Sequence, residues 1–333
     1  MKVAVDGFGG DNAPLEILKG CAMAVLEYGI NLIITGDESI IKNCAAENNI
    51  SLQNIEIKHA NSVITMEDEP SKIVNELSDC SMALGLNLLK SGEVDAFLSA
   101  GSTGALVMGS TFIVKRIKGI KRAAIATVLP GDEGAFMLID CGANVECRPD
   151  MLLQFGIMGS VYMNKIMNVD NPAVGLANIG VEETKGTELQ KEAFELLKNS
   201  KINFTGNIEA RDVPTGKCQV VVADGFTGNI ILKLTEGVAM SMYRNIKGLF
   251  TKNIFSKIAA AMVMGGLKDF KKKMDYSEYG GAPLMGISKP VIKAHGSSDA
   301  KAIKNAIRQA IKFCEGEVIE TIQSTITMQT SVK

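Results

Sequence analysis

Six times along this chain a short apolar run leads into a glycine-bearing turn and then a helical pattern. The runs cover residues 2–6, 95–99, 135–140, 174–179, 219–223 and 290–294. Strands that alternate with helices over such a length must lie largely parallel, with helices packed on both faces. The sequence therefore predicts an α/β fold, a three-layer α/β/α Rossmann-like arrangement with a mostly parallel sheet. Pro130-Gly-Asp-Glu-Gly134, between apolar runs 123–129 and 135–140, is a hairpin signal and makes the sheet locally mixed. No Pro- or Ser-rich linker and no solenoid period interrupts the pattern, so residues 1–333 read as one two-lobed α/β domain.

In such folds the turns at the carboxyl ends of strands build the sites. Val174-Gly-Leu-Ala-Asn-Ile-Gly-Val-Glu-Glu-Thr-Lys-Gly186 places Lys185, a candidate anion ligand or a plain solvated lysine, in one of them. Ala100-Gly-Ser-Thr-Gly-Ala105 sets two hydroxyls, Ser102 and Thr103, between Gly101 and Gly104 at a helix start. Backbone N–H groups, hydroxyls and the helix dipole together favour an anion there, over an ordinary cap. Gly7-Phe-Gly-Gly-Asp-Asn-Ala-Pro14 contains Gly9 and Gly10, which either admit a ligand to the backbone or simply turn the chain tightly. It matches a dinucleotide fingerprint only loosely, because Asn12 stands where the third Gly belongs. Asp11 or Asn12 can cap the following helix. Cys141-Gly-Ala-Asn144 offers an amide, Asn144, to the same cleft or to its own turn. Further along, helical patterns cover 71–90, about 105–116 and 187–198, and residues 202–205 read as a strand.

Composition narrows the function. There is no Trp, the net charge is −2 and the pI is near 5.9, which argues against a general nucleic-acid binder. The seven Cys form no C-x-x-C pair and only two His accompany them, so no metal is expected. Scattered, odd-numbered cysteines suit buried thiols in a reducing cytosol. Cys141 and Cys147 flank a turn and are candidate nucleophiles, although structural thiols are the commoner case. No signal peptide follows Met1 and no apolar run is long enough to span a membrane. Residues 251–273 depart from the rest, with six Lys against one acid, Asp269, and apolar Ile254, Phe255, Ile258, Met262 and Val263. That pattern fits an interfacial helix or an exposed helix packed on its own domain. Lys115, Arg116, Lys118, Lys121 and Arg122 form a second basic run, a docking patch or a solvated surface.

Taken in order, several motifs resemble one family: residues 5–14, 99–105, 140–145, 178–186, 224–229 (Asp-Gly-Phe-Thr-Gly-Asn), 275–284 (Asp-Tyr-Ser-Glu-Tyr-Gly-Gly-Ala-Pro-Leu) and 294–298 (Ala-His-Gly-Ser-Ser). The chain resembles the bacterial phosphate acyltransferases of phospholipid synthesis from about residue 2 to 313. The resemblance implies a fold akin to phosphate acetyltransferases and isocitrate/isopropylmalate dehydrogenases, in a homodimer. It implies transfer of a long fatty acyl chain from acyl carrier protein to inorganic phosphate, without a cofactor. The acyl phosphate then serves a membrane glycerol-3-phosphate acyltransferase. It implies a cytoplasmic enzyme held peripherally at the inner face of the cell membrane by 251–273. It also places Lys185 and Asn229 at the catalytic centre and adds His295 and Ser297 to the substrate-binding set. Two departures stand out. The family usually has Ala-Met before the first Gly-Gly and His after Asp, where this chain has Gly7-Phe8 and Asn12. It also has Asn where this chain has Ser102. No imidazole is available at position 12, while Ser102 keeps a donor.

Phosphate attacking a thioester needs placement and charge compensation more than an enzyme nucleophile. Lys185 suits the cationic role and Asn229 can donate to the carbonyl oxygen or to phosphate. Two other readings compete: a nicotinamide-dependent dehydrogenase, suggested by Gly7-x-Gly9, and a non-enzymatic membrane-associated scaffold, suggested by 251–273.

Overall fold

Burial on both faces is what makes the first strand an unbroken apolar run. The computed structural model describes residues 1–253, 255–256, 259–263, 265–266 and 280–330. Its strands are β1 (Lys2–Asp6), β2 (Asn31–Gly36), β3 (Ile55–His59), β4 (Ala96–Ser99), β5 (Ala124–Gly131), β6 (Gly134–Ile139), β7 (Val174–Asn178), β8 (Phe204–Glu209), β9 (Val220–Val222), β10 (Ala282–Met285) and β11 (Val291–Lys293). Its α-helices are α1 (Leu15–Tyr28), α2 (Glu38–Glu47), α3 (Ser81–Ser91), α4 (Thr103–Gly109), α5 (Pro149–Lys165), α6 (Glu188–Lys198), α7 (Gly225–Thr251), α8 (Ala300–Glu315) and α9 (Val318–Thr330). Among the described residues the strands form one eleven-stranded sheet in the order β3-β2-β1-β4-β11-β10-β5-β6-β9-β7-β8.

Strand alternation divides the side chains between the two faces. Val3, Val5, Leu32, Ile34, Ala96 and Leu98 pack against Leu18, Cys21, Ile303 and Ile307 of α1 and α8. Ala4, Ile33 and Phe97 face the other way, onto Met82, Leu86 and Leu106 of α3 and α4. In the second half of the sheet, Ala126, Met137, Ile139 and Val220 pack on Leu152, Phe155, Met158 and Tyr162 of α5. The expected three layers are present.

The sheet changes direction at its middle. β1 to β4, β11 and β5 run one way; β6, β9, β7 and β8 run the other. The expected hairpin joins β5 to β6 through Asp132 and Glu133. The second antiparallel element, β10, is not apparent in the sequence pattern. It pairs Ala282 with Lys293 of β11 and Leu284 with Ile125 of β5, and so stitches the two halves together.

Other boundaries differ from expectation. Only Ser81–Ser91 of the 71–90 pattern is α-helix, and Pro70–Val74 forms a 3-10 turn. The break comes where the Cys80 thiol accepts the Ala83 N–H and the Ser62–Cys80 bridge pins the backbone. α4 ends at Gly109 and continues as a π turn, Ser110–Val114, closed by Lys115 at φ 78°. α1 has Pro14 rather than Asp11 or Asn12 at its cap. The 202–205 run becomes β8 two residues later, because Phe204 is the residue that packs on Phe194 of α6. Part of the interfacial element at 251–273, including Ile254, Ile258 and Lys268 onward, lies outside the described residues, as do Asp275 to Tyr279. Within that stretch Phe255 and Met262 are 79% and 83% exposed. No described helix is long and apolar enough to cross a membrane.

Two glycines of α7 test this packing in opposite directions. A Cβ on Gly228 would lie 1.9 Å from the Asp140 carbonyl oxygen, whereas one on Gly237 meets nothing within 4 Å. Gly228→Ala is therefore expected to destabilise by at least about 2 kcal/mol. Gly237→Ala, at an exposed helical site, is expected to stabilise by roughly 0.5–1 kcal/mol. Thermal unfolding of the two variants checks both signs; equal shifts would contradict the placement of α7.

Candidate active site

A cavity of about 340 Å³ lies over the junction of the two sheet halves. Ile125 and Thr127 of β5 and Ala282 of β10 line it from the sheet. Thr103 of α4 and Lys293, Ala294 and His295 after β11 come from one half. Gly142 and α7 residues Asn229, Leu232, Lys233 and Glu236 come from the other. A second cavity of about 460 Å³ shares Thr103 and Gly142 with it and runs past Gly104, Asn144, Arg116 and Arg122. Four glycine-bearing turns distant in sequence thus border two adjoining cavities.

Buried carboxylates at two strand ends hold these turns. Asp140 is fully buried. It accepts the N–H groups of Ile125 (2.9 Å), Ala143 (3.2 Å) and Asn144 (2.7 Å), and the Asn144 amide at 2.9 Å. Burial pushes its carboxyl above the usual range and these donors pull it back. Asn144 is thereby a turn residue, and its carbonyl accepts the Gly225 N–H at 2.7 Å. Asp224 caps α7 by accepting the Thr227 N–H (2.9 Å) and hydroxyl (2.7 Å). The helix start is thus fixed, and Asn229 lies one turn in, with its amide 3.5–3.6 Å from where a Cβ on Gly142 would be. Glycine is favoured at 142 by its φ of 120°, since that Cβ would make only ordinary contact with Asn229.

Asp6 plays the same part at β1. It accepts the Ser81 and Ser99 hydroxyls, each at 2.7 Å, and the Phe8 N–H at 3.3 Å. Gly9 packs here: a Cβ on it would lie 2.6 Å from the Gly101 nitrogen. Gly10 packs against Ala100 and the Gly296 carbonyl. The first turn is thus bound to the second and last turns, and Gly9, Gly10 and Gly101 do not line the cavity. Asn12 completes this by donating its amide to the Ser297 and Ser298 carbonyls at 3.2 and 3.3 Å. Ser102 is buried as the cap of α4, accepting the Ala105 N–H.

The remaining candidates divide as follows. Thr103, Asn229 and His295 line the first cavity, and Gly104 and Asn144 the second. The Ser297 hydroxyl stands 2.8 Å from His295 Nδ1 and orients the ring from outside the cavity lining. Burial and the Lys233 charge hold His295 below its ordinary pKa. Lys185 is exposed in the β7–α6 loop and does not line either cavity. Its ammonium has no ion-pair partner among the described residues, while Glu183 is taken by Lys198 at 3.0 Å. β7 and β9 are parallel neighbours, so the Lys185 loop leaves the sheet beside the turn that carries Asn229.

Three charged cavity residues escape sequence reasoning: Lys233, Glu236 and above all Lys293. The signal for Lys293 is its position inside the apolar run Pro290-Val-Ile-Lys-Ala294, where a charge is out of place. Burial lowers its pKa to about 8 against the raising effect of Asp6 and Asp11. No group of His, Cys, Asp and Glu suited to a metal occurs among the described residues.

The cysteines are the other candidates to place. Cys141 borders the first cavity, but its thiol donates to the Leu138 carbonyl at 3.1 Å and burial pushes it up to about 12. Cys147 is pushed up to about 11. At pH 8 the thiolate fraction of Cys141 is then on the order of 10⁻⁴. Iodoacetamide at pH 8 is expected to leave both unmodified in the folded protein, as read by peptide mass mapping. Rapid labelling of Cys141 would contradict its place in the wall.

Comparison with known proteins places the chain in a family and supports its fold. Residues 1–321 match the family model described as fatty acid synthesis protein. The phosphate acyltransferase of Alkaliphilus oremlandii is 50% identical, with 98% of each chain covered. That of Clostridium tetani is 49% identical, again over 98% of each. Among solved structures, a phosphotransacetylase from Streptococcus pyogenes shares the fold at TM-score 0.65 and 19% identity, covering 96% of this chain and 94% of that one. A branched-chain phosphotransacylase from Enterococcus faecalis does so at TM-score 0.58 and 14% identity, covering 95% and 99%. The chain is a member of the fatty acid synthesis protein family, among acyltransferase enzymes.

Proposed function

We propose that this enzyme transfers a long-chain fatty acyl group from acyl carrier protein to inorganic phosphate in the cavity between the sheet halves. The acyl phosphate formed would supply a membrane glycerol-3-phosphate acyltransferase in phospholipid synthesis. The observation that carries this reading is the convergence of Thr103, Gly142, Asn229 and His295, from four separate turns, on one cavity. Names of close relatives support it: they are phosphate acyltransferases.

The chemistry follows from placement. A phosphate oxygen attacks the thioester carbonyl carbon, the carbonyl oxygen gains charge, and the C–S bond breaks to release the carrier's thiol. Asn229 donates its amide N–H to that oxygen or to phosphate. Lys185 supplies a cation from the neighbouring loop, to phosphate or to the departing sulfur. Buried Cys141 takes no covalent part.

The cavity continues past Gly104 and Asn144 to Arg116 and Arg122. A third space of about 430 Å³ beside Lys115, Arg116 and Arg122 extends it to the surface. An acidic carrier docked on this basic end would feed its prosthetic arm inward. Exposed Leu234, Val238, Met240 and Leu249 along α7 support a homodimer. Exposed Phe255 and Met262 support docking of 251–273 on the inner face of the cell membrane.

The test is thiol release from palmitoyl-acyl carrier protein by the purified protein. Release is expected only with inorganic phosphate, with the product trapped by hydroxylamine. Lys185→Ala and Asn229→Ala are each expected to lower kcat by about two to three decades. Phosphate-independent release would indicate a thioesterase. No release from folded protein would favour a scaffold, or a dehydrogenase if nicotinamide cofactors raised its Tm.

A further inference from the structure

We infer that Lys293, flanked by Lys233 and His295, is the principal cation that seats the attacking phosphate. This rests on the transfer reading above and adds to it the residue that binds the acceptor. Lys293 stands at the carboxyl end of β11, level with Ala282 of β10, where the two halves of the sheet are joined. It lines the cavity together with Asn229, Lys233, Glu236 and His295.

Its ammonium is committed only in part. One N–H donates to the Ala100 carbonyl at 3.2 Å and another to the Ala294 carbonyl. Among the described residues, the third N–H has no acceptor and no carboxylate lies within ion-pair distance. Asp6, the carboxylate whose field acts on it most strongly, is occupied by two serine hydroxyls. A structural ion pair therefore does not explain a lysine buried at this place. The two carbonyls fix where the ammonium sits, and a fixed, poorly solvated cation attracts an anion more strongly than a mobile surface lysine does. Lys233 stands at the rim in an ion pair with Glu236 at 2.9 Å, which offsets its charge and leaves Lys293 the principal cation. The Ser297 hydroxyl holds the His295 ring beside them.

The titration of the site gives a readout independent of catalysis. Burial leaves Lys293 with a pKa of about 8, so its charge is lost over the range where inorganic phosphate is already almost wholly dianionic. The groups facing it are Asp6, Asp11, Lys233, Glu236 and His295. Asp6 is locked in its serine network, and His295, held below its ordinary value, is neutral above pH 7. Phosphate binding should therefore weaken above pH 8, although the ligand's own charge favours the opposite trend.

Calorimetric titration of inorganic phosphate into the intact protein, with the steady-state KM for phosphate, tests this. Lys293→Met is expected to raise Kd and KM for phosphate roughly 10- to 100-fold, the usual loss for a charged hydrogen bond. Its KM for palmitoyl-acyl carrier protein should stay within about threefold. Lys293→Arg should recover part of the affinity and abolish its fall near pH 8. In the wild type, which needs no substitution, phosphate affinity should fall between pH 8 and 9.5. Unchanged phosphate affinity in folded Lys293→Met, or wild-type affinity that holds steady or rises above pH 8, overturns the assignment. Wild type that binds phosphate through Lys293 yet releases no thiol would sink the transfer reading alone. Normal turnover with an unmoved phosphate KM in the variant would sink this inference alone.

Discussion

The carboxylate of Asp140 is the interaction on which the site most depends. A buried charge is tolerated only when its lone pairs are filled, and four N–H contacts from β5 and the turn after β6 fill them. The same contacts shape the turn whose Asn144 carbonyl receives the first N–H of α7. α7 can approach this closely because Gly225 and Gly228 have no side chain to strike the Asn144 and Asp140 backbones. The position of Asn229 is thus set by a chain of short-range contacts that begins at one carboxylate. Asp6 repeats the device in the other half, through Ser81 and Ser99, with Gly9 against Gly101.

Two such anchored halves would remain apart without β10. Four residues long, it pairs with β11 at one end and β5 at the other, antiparallel to both. It lies between two strands of the same direction, while the β5–β6 hairpin reverses the sheet, and a cavity lies above the seam. One wall comes from the turns after β4 and β11, the other from the turn after β6 and from α7. Most of the motif glycines serve this assembly by close packing, which leaves cavity-facing chemistry to their neighbours: Thr103, Asn229, His295 and Lys293.

Much of this was legible in the sequence, for physical reasons. Strands buried on both faces are unbroken apolar runs, so β1, β4, β6, β7 and β9 could be read from pattern. Thr187 and Asp224 mark their helix starts because capping chemistry is local. β10 was not legible, since Ala-Pro-Leu-Met carries no strand alternation and is ordered by its two neighbours. The 71–90 stretch misleads because its apolar spacing continues across a break set by a tertiary bridge at Ser62 and Cys80. In the site, Asn229 and His295 sit in motifs at strand ends or helix starts. Lys293 was hidden because a lysine within a strand acquires meaning only when its surroundings are known. Lys185 shows the converse: a conspicuous loop lysine that the fold sets beside Asn229's turn without placing it in the cavity wall.

In the proposed reaction, phosphate is seated for attack in the cavity over the β10 seam. A crystal structure of the protein grown in inorganic phosphate tests this most directly. Phosphate density bounded by Lys293, His295 and Asn229 is expected. Phosphate bound elsewhere, with this cavity filled only by water, would contradict it.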